Sequence, residues 1–390
     1  MPRMDHPSAS GTLQFTRLEL TNWRNFTAAS VKLADRAFLV GPNASGKSNL
    51  LDAFRFLRDL TAVGGGFQAA LESRGGVSRV RSLAARTNPS VRLAVGMGTA
   101  DKPNAWAYEI VFGQQSRGRR LPQVETERVF RDGVAVLDRD AQSEDQERRT
   151  QTYLEQVNAN REFRDVADFF RSVRYLHILP QLVREPSRTV SRSDDPFGSD
   201  FLEQVAKTPE RTKKARLKRI ADALRVAIPQ LLELEEYRDE VGAPHLRGRY
   251  SHWRAKGVWQ DETQFSDGTL RLLGLLWVLQ EGSGPLLLEE PELSLHPEVV
   301  RHLAPLIYRM SRRNGRQVIL STHSSDLFWD EGISLDEILL LTPEGEGTSV
   351  RQASHFQDMR DVLDGGGQLA DAILARTRPA DARQLLMFDW

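Results

Sequence analysis

The chain has 390 residues, with 53 Lys and Arg against 53 Asp and Glu, no cysteine, and 40% hydrophobic residues. This length supports one large domain or two to three smaller ones with a sizeable core, and the lack of cysteine excludes disulfides, zinc ribbons and thiol catalysis. No apolar run approaches the roughly 20 residues of a membrane span, and the first residues, MPRMDHPSAS, lack the apolar stretch of a secretory signal, so the chain reads as a soluble, cytoplasmic globular protein. Balanced charge argues against a uniformly basic nucleic-acid coat but leaves local patches open.

In chain order, LQFTRLELTNWRNFTAASVKL predicts two strands around a turn at Thr21–Asn25. Ala37–Val40 is a short apolar strand, followed by a Gly-rich loop and a helix over 47–60. Residues 64–76 read as loop. VRLAVGM, AWAYEIVF and VETERVF then form a meander of strands, and 139–150 an exposed polar loop. Helices are expected near 151–158 and 161–172, then a strand at 173–180. The polar, Pro- and Ser-rich stretch 184–200 reads as a linker into an inserted, mainly helical lobe. Its helices fall near 199–206 and 211–226, and 231–256 is strand-like. A helix over 267–281, a buried strand at 285–290, a helix over 297–313 and strands at 317–322 and 337–342 follow. No internal repeat or long heptad run is present. Alternation of strands and helices in the last third predicts a parallel sheet, and the early meander an antiparallel one, so the class is α/β.

Four motifs carry chemistry. GPNASGKS, Gly41 to Ser48, fits a phosphate-binding loop placed between a strand and a helix. Its glycines let backbone N–H groups curl around a phosphate, Lys47 reaches the β- and γ-phosphate oxygens, and Ser48 ligates Mg²⁺. Asn43 and Asn49 flank these positions. The plain alternative is a turn before a helix. PLLLEEPELSLHP, 285–297, ends a buried strand in Glu289 and Glu290. Beside a phosphate loop, such acids hold Mg²⁺ and orient water, although acids at a strand end are common by themselves. STHSSD places His323 just past a strand, where a histidine can sense a γ-phosphate or can simply be a surface residue. FSDGTLRLLGLLWVL opens an apolar helix at Ser266–Asp267–Gly268, which is either a plain N-cap or a phosphate site completed by another subunit.

Taken in order, NWRNF, GPNASGKSNLLDA, FSDGTLRLL, LLLEEPELSLHP and STHSSDL resemble the RecF/SMC branch of the ABC-type ATPases. They are closer still to the stand-alone AAA family ATPases related to the OLD (overcoming lysogenization defect) family. The resemblance implies a P-loop ATPase head with a mixed sheet, an antiparallel N-terminal meander and a parallel core, which dimerises around ATP and Mg²⁺. It implies a Walker A loop at Gly41, Gly46, Lys47 and Ser48, a signature at Ser266, Asp267 and Gly268, Glu290 as catalytic glutamate and His323 as switch histidine. It also implies a D-loop from Glu292 to His296, Gln181 as a Mg²⁺-reading residue, and Arg24 near the phosphates. Glu289 stands where aspartate is usual. The organisation expected is 1–182 and 259–345 for the two parts of the head, 183–258 for the linker and lobe, and 346–390 for a C-terminal extension.

The leading expectation is an ATP-hydrolysing homodimer that acts on DNA or controls a nucleic-acid-directed partner, such as a nuclease or toxin, in repair or anti-phage defence. Lys207, Arg211, Lys213, Lys214, Arg216, Lys218 and Arg219, with Arg247, Arg249 and Arg254, form a basic run that reads as phosphate contacts or as a solvated helix face. The alternative is a weakly catalytic, nucleotide-gated scaffold that holds or releases an effector. A transporter subunit fits less well, since its loop and signature lie closer together than Lys47 and Ser266.

Overall fold

The computed structural model describes residues 12–62, 66–86, 89–115, 120–140, 145–185, 195, 197–252 and 257–378. Three sheets organise them. An antiparallel sheet has the order β2-β1-β4-β5-β6-β7, from β1 (Gln14–Trp23), β2 (Phe26–Lys32), β4 (Val91–Gly98), β5 (Trp106–Gln114), β6 (Pro122–Arg131) and β7 (Val134–Asp140). A mainly parallel sheet has the order β15-β14-β3-β13-β12-β8, from β3 (Arg36–Val40), β8 (Arg174–Leu176), β12 (Leu286–Glu289), β13 (Val318–Thr322), β14 (Ile338–Glu344) and β15 (Gly347–Gln352). A small third sheet joins β9 (Leu231–Arg238), β10 (Pro244–Tyr250) and β11 (Val258–Asp261).

The helices are α1 (Lys47–Leu60), α2 (Gly66–Glu72), α3 (Val77–Val80), α4 (Arg164–Arg171), α5 (Pro180–Arg184), α6 (Phe201–Lys207), α7 (Glu210–Ala227), α8 (Asp267–Val278), α9 (Pro297–Arg301), α10 (Leu303–Asn314), α11 (Gln357–Asp364) and α12 (Leu369–Thr377). The class is the expected α/β, with the antiparallel and parallel parts resolved into separate sheets.

Alternation along the parallel strands decides the layers, because successive side chains point to opposite faces. Ala37, Leu39, Leu287 and Ile319 join Phe54, Leu57 and the inner face of the antiparallel sheet in one core. Phe38, Val40, Leu288 and Leu320 face a second core with Leu273, Trp277, Ile307 and Leu224. Helix α1 therefore lies between two sheets. Gln317 stitches them together: its amide oxygen accepts from Phe15 N at 2.9 Å, and its nitrogen donates to Phe15 O at 2.7 Å and Ala34 O at 2.8 Å. A buried amide satisfied at both ends fixes the sheet-to-sheet register without leaving a desolvated polar atom.

Four local expectations change. Residues 66–72 are helical rather than loop, because Phe67, Ala70 and Leu71 share one buried face despite the glycines before them. Strand β7 is an edge strand closed by the Asp132–Gly133 turn, with φ of 53° and 79°; that Asp-Gly pair is the sequence signal for it. Residues 151–158 form turns instead of a helix, since Glu155 takes Thr152 N at 2.6 Å and Asn160 donates to Leu154 O at 2.9 Å. The helix expected over 297–313 breaks at His302, because Pro305 has no N–H for the Arg301 carbonyl. Arg254 and the aromatic C-terminal end lie outside the described residues.

Candidate nucleotide site

Strands β3, β13 and β12 are adjacent and parallel, with Leu39, Ser321 and Glu289 in register. Their C-terminal ends thus bring together three segments far apart in sequence: the loop 41–46, His323, and the Glu289–Glu290 pair. Ligands favour this end of parallel sheets because the following loops converge there and helix N-termini point inward.

The loop is held by its shape. Gly46 has φ 96°, and a Cβ there would come within 2.1 Å of the Asn25 side chain. Asn25 donates to Ser45 O at 3.1 Å and Thr348 Oγ1 at 2.7 Å, and accepts from Asn49 at 2.8 Å. A Cβ on Gly41 would come within 2.5 Å of the Leu341 carbonyl oxygen. Trp23 Nε1 donates to Asn49 O at 2.8 Å, anchoring α1 to the antiparallel sheet. Asn25 was not singled out by sequence reasoning, although the NWRNF segment contains it. Asn43 is exposed at the loop tip, whereas Asn49 supports the loop from inside.

Lys47 is buried, and its ammonium donates to Gly41 O at 3.0 Å and Pro42 O at 3.1 Å. Burial lowers its pKa to about 8 against the opposing pull of Glu290, Glu292 and Glu289. It lies 3.3 Å from His323 Nδ1, and His323 Nε2 lies 2.9 Å from Glu290 Oε1. An ammonium only donates, so His323 accepts at Nδ1 and carries its proton at Nε2, toward Glu290. Burial, then the Lys47 charge, lower the His323 pKa, which favours this neutral tautomer.

Glu290 and Ser294 adopt left-handed backbone, with φ of 45° and 63°. Such a conformation is costly for a side-chain-bearing residue and persists only when its surroundings impose it. Here Glu290 N still completes the strand ladder to Ser321 O at 3.0 Å. Glu292 is buried and takes Thr322 Oγ1 at 2.5 Å and His323 N at 3.2 Å, so it fixes the backbone that presents His323. Burial raises its pKa, and its Oε2 has no partner among the described residues.

Ser48 Oγ donates to Glu289 Oε1 at 2.5 Å, and Tyr175 Oη donates to Glu289 Oε2. The hydroxyl and carboxylate at this short separation form an oxygen donor set suited to Mg²⁺, a hard cation that takes few protein ligands and completes its shell from phosphate and water. No cluster of three His, Cys, Asp or Glu suited to a metal occurs among the described residues. A cavity of about 930 Å³ opens beside Ser48 and Glu289 and runs along α1 past Arg24 and Asp52. Arg24 pairs with Asp52 at 3.0 Å. Gln181 is exposed on α5 and does not line this cavity; Tyr175 and His177 line it beside Glu289 instead. Neither was singled out in the sequence, because strand β8 carries no motif.

Ser266 caps α8 by accepting from Thr269 N at 3.2 Å. Asp267 pairs with Arg184 at 2.6 Å, and a Cβ on Gly268 would come within 2.5 Å of the Ser294 carbonyl oxygen. Ser266 and Gly268 do not line the cavity beside Ser48.

The sequence profile of the family described as "AAA domain, putative AbiEii toxin, Type IV TA system" matches residues 36–328. The chain belongs to this AAA-domain family. Its fold is that of an ABC-type, SMC-head-like P-loop ATPase. One similar solved structure is an SMC head bound to the C-winged helix domain of ScpA, with TM-score 0.54, 14% identity, and coverage of 86% of this chain and 97% of that one. Another is an SMC head with an extended coiled coil, bound to the C-terminal domain of ScpA and derived from Pyrococcus furiosus, with TM-score 0.52 and 12% identity. It covers 90% of this AAA-domain chain and 100% of that one. No curated protein matches the sequence. No helix of the described residues is long and apolar enough to cross a membrane.

The basic run of this AAA-domain protein is largely committed within the chain. Lys213 is buried between Glu236 at 2.6 Å and Glu210 at 2.9 Å, and Lys214 reaches Glu210 at 3.3 Å. Arg216 pairs with Glu281, Arg247 with Glu235 and Arg249 with Glu233. Arg211, Lys218 and Arg219 make no ion pair among the described residues.

Proposed function

We propose that this chain is an ATP-hydrolysing switch in which two copies close around nucleotide. The observation that supports it most is the meeting of Lys47, Ser48, Glu289, Glu290 and His323 at the ends of three adjacent strands. In this reading Lys47 leaves the Gly41 and Pro42 carbonyls and turns to the phosphate oxygens. Mg²⁺ held through Ser48 and Glu289 would supply charge neutralisation on the phosphates. Glu290 accepts a proton from water as the water oxygen attacks the γ-phosphorus and ADP departs with the bridging oxygen. His323 donates from Nε2, at present to Glu290, and can move that donor to the γ-phosphate.

In this reading Ser266 and Gly268, at the start of α8, serve as the signature that completes the phosphate site of a second copy. The switch would act in the cytoplasm. For its output, the ion pairs of Lys213, Arg216 and Arg247 weaken a DNA track, and the family description, with its toxin wording, favours a protein partner. Control of a defence effector is therefore preferred here to direct action in DNA repair. A steady-state ATPase assay, run with and without DNA on parent and Glu290→Gln protein, tests this. Nucleotide-dependent dimerisation with turnover lost in Glu290→Gln is expected. A parent that neither binds nor hydrolyses ATP overturns the reading, and strong stimulation by DNA overturns the preferred output.

A further inference from the structure

We propose that Tyr175 is a positioning residue for Glu289, holding one oxygen of that carboxylate so that the other faces the metal in a fixed direction. The proposal rests on the nucleotide–metal reading above. A glutamate has one more rotatable bond than an aspartate, so an unbraced Glu289 would lose more side-chain freedom on binding a cation. The structure supplies braces from two sides. Ser48 Oγ donates to Oε1, and Tyr175 Oη donates to Oε2. Strand β8 pairs in parallel with β12, Leu176 opposite Leu288, so Tyr175 and His177 flank the end of the strand that carries Glu289. His177 Nδ1 lies 3.2 Å from the Glu289 carbonyl oxygen, and with its proton there it holds the backbone as Tyr175 holds the side chain.

The ring of Tyr175 is held in turn. The Arg55 guanidinium lies 4.3 Å from its centroid, and Asp52 is 4.0 Å from Arg55. Arg55 and Ser48 share α1, so the helix that offers a hydroxyl to Glu289 also fixes the phenol on its other side.

The test is a Mg²⁺ titration of ATP affinity, by calorimetry or a fluorescent ATP analogue, with EDTA as the metal-free reference. It compares parent, Tyr175→Phe, Glu289→Asp and the double variant. Tyr175→Phe should raise the Mg²⁺ concentration for half-maximal tightening about tenfold, the size of a lost hydrogen bond to a charged group. Its ATP affinity in EDTA should stay at the parental value, which also shows that the variant folds. The shorter Glu289→Asp carboxylate cannot reach both Ser48 and Tyr175, so in that background Tyr175→Phe should add nothing. Parental Mg²⁺ dependence in Tyr175→Phe overturns the proposal, as does an equal effect in the aspartate background or a loss of affinity already present in EDTA. A parent that binds no ATP under either condition overturns the nucleotide reading itself, and the tyrosine proposal with it.

Discussion

Two charged regions of the molecule use their charges in opposite ways. In the lobe formed by α6, α7 and β9 to β11, several cations meet acids of the same lobe or of its immediate neighbour: Lys213 with Glu236, Arg247 with Glu235, Arg216 with Glu281. At the ends of β3, β13 and β12, charged groups are crowded together and meet mostly neutral partners. Lys47 sits on two carbonyls and a histidine, Glu289 and Glu290 are consecutive, and buried Glu292 keeps one oxygen unpartnered. Charges of the first kind are spent on the fold. Those of the second kind are held by neutral carbonyl, hydroxyl and imidazole groups, which under the proposed function would give way to anionic oxygens and a cation. A left-handed Glu290 and a Lys47 with a pKa near 8 belong to the same pattern.

The largest effect expected from this contrast is in catalysis. Glu290→Gln should slow hydrolysis by about 10²–10⁴-fold, the usual loss for a positioned base, while ATP binding persists. Equal turnover in single-turnover assays, or loss of turnover in Glu289→Gln alone, would move the base to the other acid. Next, Lys47→Ala should weaken ATP binding by about 100-fold, because charge-assisted bonds to phosphate are lost and no other loop side chain replaces them. Calorimetry showing unchanged affinity would sink the loop assignment.

In the lobe the effect should fall on stability instead. Lys213→Ala leaves Glu236, about 10% exposed, without its main partner and should cost about 2 kcal/mol in denaturant unfolding. An unchanged midpoint would mean that the lysine is free for a partner after all. The pH dependence is smaller. Lys47 is charged below about pH 8 and neutral above it, so ATP affinity should hold below pH 8 and decline by up to tenfold per pH unit above it. Binding near pH 8 should therefore take up protons, readable from calorimetry in buffers of differing ionisation enthalpy; flat affinity from pH 7 to 9.5 contradicts this. Smallest of all, exposed Lys214→Ala should stay within about 0.5 kcal/mol of the parent. A steep salt dependence of DNA affinity that Lys214→Glu and Lys218→Glu abolish would restore the basic face as a phosphate track.

Much was legible in the chain alone. The run from Ala37 to Leu60 predicted strand, loop and helix nearly to the residue, because the loop needs glycine at positive φ and the helix must begin where its N–H groups can meet phosphate. The convergence of Glu289, Glu290 and His323 was legible for a similar reason: each lies at or just past the end of a strand with an apolar start, and parallel strands collect their C-terminal ends on one edge. Short-range signals were weaker where local and tertiary forces disagreed. Glycines before 66 suggested a loop, yet burial of Phe67 and Leu71 against α1 decided for a helix.

Only the tertiary structure decided what the charges do. Sequence counted a basic run from Lys207 to Arg219, but its partners Glu236 and Glu281 arrive from β9 and from beyond the end of α8, and pairing across such distances has no local signature. The same is true of Tyr175, which lies on a strand without a motif and matters only because β8 adds to the sheet beside β12. Periodicity and loop chemistry are local properties, so the sequence determined most elements and the Gly41–Ser48 loop between β3 and α1. Whether a charge is spent or available depends on the group opposite it, and that is settled by packing.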